Sequence, residues 1–450
     1  MSFFQFKIFI MDDTVKDGQI TRDYHMKRCY CIVLAFFLLL AVSTAAVTAS
    51  ERFIINGYYK NFSVAYDLPD YESPLALPEQ PTVGAVNNRI RLNGRFRFTG
   101  WLAFGAAYDF APCVQDRLLF DNDLFVPGIN SNDYRAADLD ERLYPAPNDT
   151  VGSFAVFQNL DRAFFTVTTP PFDLYIGRQA IAWGYAHVIN PTDVIVPYNY
   201  SELDTEDRIG VDAICLRAPI GFMAEIDAGY VFGDDFKFSQ SAFFVRSKLR
   251  AARTDFSVLL IGFRENLLVG LDLTRDIGGA GFWAEGAYVF VNALDENDAD
   301  GSTDYFRGSV GFDYSFWGNA YGFVEYHFNG AGSNNSENYF DNLSTTAYTE
   351  GSVYLMGKHY LAPGASYQVT PLLTATCEVL VNLSDPSVFL VPNLEYNIAQ
   401  DIYLTAGAYV GVGRRAELVS GPGFVSHRIN FGSEFGSYPD TYYTSFRIYF

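Results

Sequence analysis

The stretch Asp440-Thr-Tyr-Tyr-Thr-Ser-Phe-Arg-Ile-Tyr-Phe450 decides the fold of this chain. Tyr442, Thr444, Phe446, Ile448 and Phe450 occupy one phase of a two-residue repeat, and Tyr443, Ser445, Arg447 and Tyr449 occupy the other. Successive side chains of an extended backbone point to opposite faces, so this segment is a strand with one greasy and one wetter side.

The same alternation recurs upstream with no helical periodicity of useful length. It predicts strands near residues 51–66, 86–98, 101–111, 155–168, 172–182, 208–217, 220–231, 241–250, 253–263, 266–276, 280–292, 304–316, 319–329, 354–369, 372–383, 387–397, 401–412 and 440–450. The gaps between them are of two kinds. Every second one is a tight turn, at Thr99-Gly100, Thr169-Pro171, Ala218-Pro219, Ala251-Ala252, Ile277-Gly279, Trp317-Gly318, Thr370-Pro371 and Ile398-Gln400. Most of the others are long, as at 67–85, 112–154, 183–207, 330–353 and 413–439. Short turns at one rim and long loops at the other are expected of an all-β transmembrane antiparallel barrel of about 18 strands (16–18), with both chain ends on the short-turn side. A soluble β-sandwich also alternates, but its turns have more uniform lengths.

A final strand closing on a terminal aromatic resembles the last strand of bacterial outer-membrane β-barrels, which the barrel-assembly machinery reads. The start of the chain agrees with that resemblance. Met26-Lys27-Arg28 precedes the apolar run Ile32–Val42 and then Val47-Thr48-Ala49, the pattern of a secretory signal over 26–49, too short for a spanning helix. Residues 1–25 read as an upstream extension or misassigned start, and 50–450 as one barrel domain. Cys29 and Cys31 precede the apolar core, whereas a lipidated cysteine would follow it. No later run is apolar enough to span as a helix, so membrane residence requires a closed barrel.

The formal charge of −21 argues against a nucleic-acid partner. Cys113, Cys215 and Cys377 are too scattered for a disulfide framework or a metal site. Glu296, Asp298, Asp300 and Gly301 match part of a calcium loop, but Arg307 stands where its last carboxylate belongs. They read as a solvated acidic loop, like Asp121, Asp123, Asp133, Asp138, Asp140 and Glu141. His187, His327, His359 and His427 have no nucleophile motif beside them. Neither an enzyme nor a cofactor is expected.

Charge on a lipid-facing strand position costs about 2–4 kcal/mol for Arg or Lys at the midplane, so the charged phase should face inward. On the seventh strand this turns Phe222, Ala224, Ile226, Ala228 and Tyr230 outward. On the twelfth it does the same for Phe306, Gly308, Val310, Phe312, Tyr314 and Phe316. The inward phase of the second strand then carries a basic ladder of Arg89, Arg91, Arg95 and Arg97. Arg246, Lys248 and Arg250 form a second basic stave. Glu225, Asp227, Asp272, Glu285, Asp313, Glu325, Glu378 and Glu395 are the expected acidic lining. Arginines facing acids across water would set up a transverse field, while pairing with neighbouring acids within the wall is the plainer reading.

The succession Gly177-Arg-Gln, Trp183-Gly, Asn190-Pro-Thr-Asp193 and Arg208-Ile-Gly-Val-Asp212 resembles a stretch of porin-like and alginate-export-type outer-membrane barrels. The resemblance implies a pore-forming transporter with an ordered loop near its channel. Trp183, His187, Asp193, Glu202, Asp204, Glu206 and Asp207 are then candidates for a constriction, with a plain surface loop as the alternative. The expected function is passive diffusion of small hydrophilic solutes across the bacterial outer membrane. The alternative is a receptor, adhesin or polysaccharide exporter with a blocked or gated lumen. Outer-membrane lipid, lipopolysaccharide and small polar solutes are the expected partners, and a homo-oligomer is compatible with the pattern.

Overall fold

The computed structural model describes residues 52–69, 82–121, 134–146, 149–198, 200, 202–295, 303–420 and 427–450. The expected signal segment over 26–49 and Asp123, Asp133, Glu296, Asp298, Asp300 and Gly301 fall outside these residues, as do the side chains of Asp121 and His427. Eighteen strands form the wall: β1 (Phe53–Asp67), β2 (Thr82–Arg97), β3 (Leu102–Gln115), β4 (Phe154–Thr169), β5 (Phe172–Gln179), β6 (Val211–Ile220), β7 (Ala224–Val231), β8 (Ala242–Ala251), β9 (Thr254–Phe263), β10 (Asn266–Ile277), β11 (Ala280–Phe290), β12 (Tyr305–Phe316), β13 (Ala320–Asn329), β14 (His359–Thr370), β15 (Leu373–Asn382), β16 (Ser387–Ala399), β17 (Ile402–Val412) and β18 (Asp440–Tyr449). Each pairs antiparallel with its neighbours in sequence, and β1 also pairs with β18, so the sheet closes on itself. A three-residue strand, Arg142–Tyr144, adds to β4, and Glu417–Ser420 pairs with His427–Asn430 in a separate hairpin.

Closure leaves no unpaired edge, which is how an extended sheet satisfies its backbone groups in a low-dielectric surround. The seam ends on Phe450. Its N–H donates to the Gly57 carbonyl at 3.0 Å, and the Gly57 N–H donates to the Phe450 carbonyl at 2.8 Å. A Cβ on Gly57 would stand 2.2 Å from the Arg91 carbonyl oxygen and 3.0 Å from the Phe450 ring, so only glycine fits there.

The short and long connections alternate as the pattern requires, with three local differences. The turn expected at Ala218-Pro219 lies at 221–223, and Arg217, still within the strand, pairs with Asp227 on β7 at 3.0 Å. Gly221, at φ 64°, supplies the left-handed turn conformation. Phe222 is consequently a fully exposed turn tip and not an outward strand residue. Strand β5 stops at Gln179 and β6 starts at Val211, so the intervening loop is longer than expected. Strand β14 starts at His359, leaving 354–358 in the preceding loop.

The outward phase is apolar. Val258 and Leu260 on β9, Val269 and Leu271 on β10, and Val310 and Phe312 on β12 are all exposed. The inward phase holds the buried groups, among them Lys60, Arg91, Asp109, Asp161, Glu285 and Glu325. An inside-out distribution of this kind places the packed core within the cylinder. One loop packs into that core from within.

Candidate functional site

Residues 180–210, between β5 and β6, enter the cylinder. Ile181, Trp183, Val194 and Ile195 pack on Phe244, Leu259, Ile261, Leu268 and Val289 of the wall. Burial of these side chains drives the segment inward, but it also takes the loop's backbone N–H groups out of water, where each needs an acceptor. Two wall carboxylates provide them. Glu285 on β11 accepts from the N–H groups of Tyr185 at 2.9 Å, Ala186 at 3.2 Å and Thr192 at 2.8 Å, and from the Thr192 hydroxyl at 2.7 Å. Glu325 on β13 accepts from the N–H groups of His187 at 2.7 Å and Ile189 at 3.0 Å, and from the Trp283 indole at 2.9 Å. The His187 ring stacks on Trp283 at 3.8 Å. These two glutamates, expected as part of the acidic lining, are buried anchors of the loop. A carboxylate is the side chain able to gather several donors at one point.

The other end of the loop meets the basic ladder. Lys60, wholly buried on β1, reaches Asp204 at 2.8 Å and Glu206 at 2.7 Å. Arg89 reaches Asp109 at 2.8 Å and Asp204 at 3.3 Å. Arg91 reaches Asp109 at 3.1 Å, Asp161 at 2.6 Å and Asp207 at 3.8 Å. Tyr58 donates to Asp207 at 2.7 Å, and the Gly210 N–H to Asp161 at 2.8 Å. Burial opposes ionisation of Asp204, yet Lys60 and Arg89 overcome it and hold its carboxyl below the usual carboxylate range. Arg89 and Arg91 therefore do not face Glu285 across open water. They are tied to acids of the wall and the loop. Arg95 and Arg97 lie on the same face toward the short-turn rim, exposed, with no ion pair among the described residues.

The second basic stave is likewise paired. Lys248 meets Glu225 at 2.8 Å and Asp227 at 3.3 Å, Arg246 meets Asp272 at 3.5 Å, and Arg250 meets Asp255 at 3.7 Å. Asp272 is fully buried behind this wall. Asp313 accepts from the Tyr321 hydroxyl at 3.0 Å and the Gly281 N–H at 3.0 Å.

Between the loop and the opposite wall an open cavity of about 750 Å³ remains. Strands β15 to β18 line it with Glu378, Asn393, Glu395, Thr405, Ser445 and Arg447, and the loop faces them with Tyr198, Tyr200, Glu202, Asp204 and Glu206. Glu395 pairs with Arg447, while Glu378 is exposed and has no ion pair among the described residues. Asp193 is buried against Arg208 at 2.6 Å. Burial pushes its carboxyl up to about 7 despite that cation. His327 is a buried wall residue bonded through Nδ1 to Ser309 at 2.8 Å, and His359 is bonded to Tyr326 at 2.7 Å. Among the described residues no three His, Cys, Asp or Glu side chains group as metal ligands.

No protein-family model and no curated protein matches the chain in sequence. Solved structures do match in fold. The OccAB3 structure from Acinetobacter baumannii aligns with a TM-score of 0.53 at 10% identity, covering 88% of this chain and 99% of its own. OccAB2 of the same organism gives 0.52 at 8% identity, covering 88% and 98%. The fold is that of a porin barrel. A BenF-like porin from Pseudomonas fluorescens Pf-5 carries it at a TM-score of 0.50 and 11% identity, over 89% of this chain and 99% of its own. At such identities the likeness is one of architecture, and roles must come from this chain's own side chains.

Sequence reading missed Lys60, Asp109 and Asp161. Lys60 and Asp109 share the inward phase of their strands and could have been found by reading that phase strand by strand. Asp161 could not, because a register shift in the β3–β4 pairing, opposite Ala107 and Tyr108, changes the phase of β4 there.

Proposed function

We propose that the protein is an outer-membrane channel through which small hydrophilic solutes diffuse passively, and that the passage runs between the inward loop and the β15–β18 wall. The observation that carries this reading is the partition of the cylinder. The loop docks on one side of the lumen as a packed, hydrogen-bonded plug, and beside it a polar-lined cavity of about 750 Å³ remains. The apolar outer face fits a bilayer, and the seam at Phe450 fits recognition by the barrel-assembly machinery. Export of a bulky polysaccharide fits less well, because the loop stands in the way of an extended polymer. The test is reconstitution of purified protein into planar bilayers and solute-loaded liposomes. Discrete conductance steps and a solute-size cut-off support the reading, whereas a silent, solute-tight barrel refutes it.

One observation favours a second reading, a surface receptor with a closed lumen. The loop 330–358 leans over the mouth, where Ser352 donates to the Val194 carbonyl at 3.1 Å and Val353, Tyr354 and Leu355 line the cavity. Absence of conductance together with retained barrel folding would favour it.

A further inference from the structure

The loop over the mouth is fastened at one buried point. Glu434, in the 413–439 loop, has no exposed surface. Its Oε1 accepts from the Met356 N–H at 2.9 Å, one residue beyond the segment that lines the cavity. Its Oε2 accepts from the Tyr360 hydroxyl at 2.5 Å and from Asn382 Nδ2 at 2.7 Å. A second carboxylate stands against it. Asp385, in the β15–β16 turn, accepts from the same Asn382 Nδ2 at 3.1 Å, from the Glu434 N–H at 2.9 Å and from the Tyr339 hydroxyl at 2.8 Å. Three loops and two strand ends thus converge on two carboxyl groups.

The groups that face Glu434 are Asp385 from the turn, Tyr339 and Tyr348 from the 330–358 loop, Tyr360 from β14, Tyr200 from the inward loop and Tyr438 from its own loop. Among the described residues no Lys, Arg or His forms an ion pair with either acid. Two buried carboxylates with no cation cannot both ionise cheaply.

We propose that Glu434 and Asp385 form a proton-operated latch, which holds the 330–358 loop over the passage while Glu434 is uncharged and releases it when Glu434 ionises. The inference rests on the channel reading for what release does, but not for the latch itself. Burial, with Asp385 adding to it, pushes the Glu434 carboxyl up to about 7. Its folded value therefore lies above its unfolded one. The latch is at full strength below the ordinary Glu range and is lost as pH rises through about 7. Between the ordinary Glu value and about 7 each pH unit weakens the closed arrangement about tenfold, and above about 7 the loss is complete.

The test is hydrogen exchange of the full-length protein in nanodiscs between about pH 4.5 and pH 8, corrected for intrinsic rates and read beside single-channel conductance. The wild type should lose protection at 353–357 and 427–439 as pH rises, with open-channel conductance or open probability rising in step. Glu434→Gln should be flat across the range. Asp385→Asn, which removes the neighbouring charge but keeps the fold of the turn, should move the midpoint down. A wild type whose exchange ignores pH would overturn the latch, as would a Glu434→Gln variant that keeps the full response. So would a response confined to 180–210, which would place the titration at Asp193. Exchange that follows the prediction in a barrel that never conducts would sink the channel reading and leave the latch standing.

Discussion

Replacing both Glu285 and Glu325 by alanine should release the inward loop and widen the passage. Glu285 alone receives three backbone N–H groups and a hydroxyl, all within 3.2 Å. A buried donor left without its acceptor costs about 1–3 kcal/mol, and bonds to a charged acceptor lie at the upper end of the net range. The donors share one acceptor, so their losses do not simply add, and about 3–5 kcal/mol for one carboxylate is the reasonable magnitude. Apolar packing of Trp183, Val194 and Ile195 survives the change. Loss of each carboxylate should nevertheless cost the docked state about two to three and a half powers of ten against undocked arrangements, at about 1.4 kcal/mol per tenfold, and the double variant more than either single change. Glu325→Gln should do less than Glu325→Ala, because the amide keeps one carbonyl oxygen for the loop while turning an N–H toward the remaining donors. The assay is single-channel conductance together with the solute-size cut-off in liposome swelling. Both should rise in the double alanine variant, and gel mobility of the unheated barrel checks that the wall still closes. If a folded double variant keeps the wild-type conductance and cut-off, the two glutamates do not hold the loop.

The ladder divides into two kinds of arginine, and its members should behave differently on substitution. Arg91→Ala leaves Asp109 and Asp161 buried with weakened compensation, and should lower barrel stability by about 3–5 kcal/mol, read as the denaturant midpoint of refolding into detergent. Arg95→Ala with Arg97→Ala should leave that midpoint in place and shift the reversal potential in a salt gradient toward cation selectivity; an unchanged potential would mean that these side chains do not face the ion path. Gly57→Ala should reduce the fraction of chain that reaches the heat-resistant, fast-migrating form, because its methyl group meets the Arg91 carbonyl oxygen at 2.2 Å.

The cylinder was legible because its two rules act locally. Alternation is written within each strand, and the contrast between tight turns and long loops is written between strands. Tyr314 and Phe316 turn outward beside Asp313 as their phase demands. The contents of the lumen obey no such local rule. Glu225, Glu285 and Glu325 look alike in sequence, each a single acid in the inward phase of a strand. One is paired with Lys248 on the neighbouring strand, and the other two are claimed by N–H groups more than ninety positions away. Arg89 and Arg97 belong to the same ladder, yet only Arg89 lies level with the acids of the loop. Phase fixes which way a side chain points, and loop docking fixes what it meets. The misplaced turn at Ala218-Pro219 has a similar cause, since proline marks turns in general but Gly221 could take the conformation this turn requires.

The mutual hydrogen bonds of Gly57 and Phe450 join the first strand to the last residue of the chain. Outside this β1–β18 seam, the wall strands pair with their neighbours in sequence and can zip as hairpins while the polypeptide is still incomplete. The seam spans nearly the entire polymer, so it carries the largest loss of chain freedom and has nothing nearby to nucleate it. Insertion should then behave like a zipper whose first and last strands meet at the final step, with an open, curled sheet as the species that persists longest beforehand.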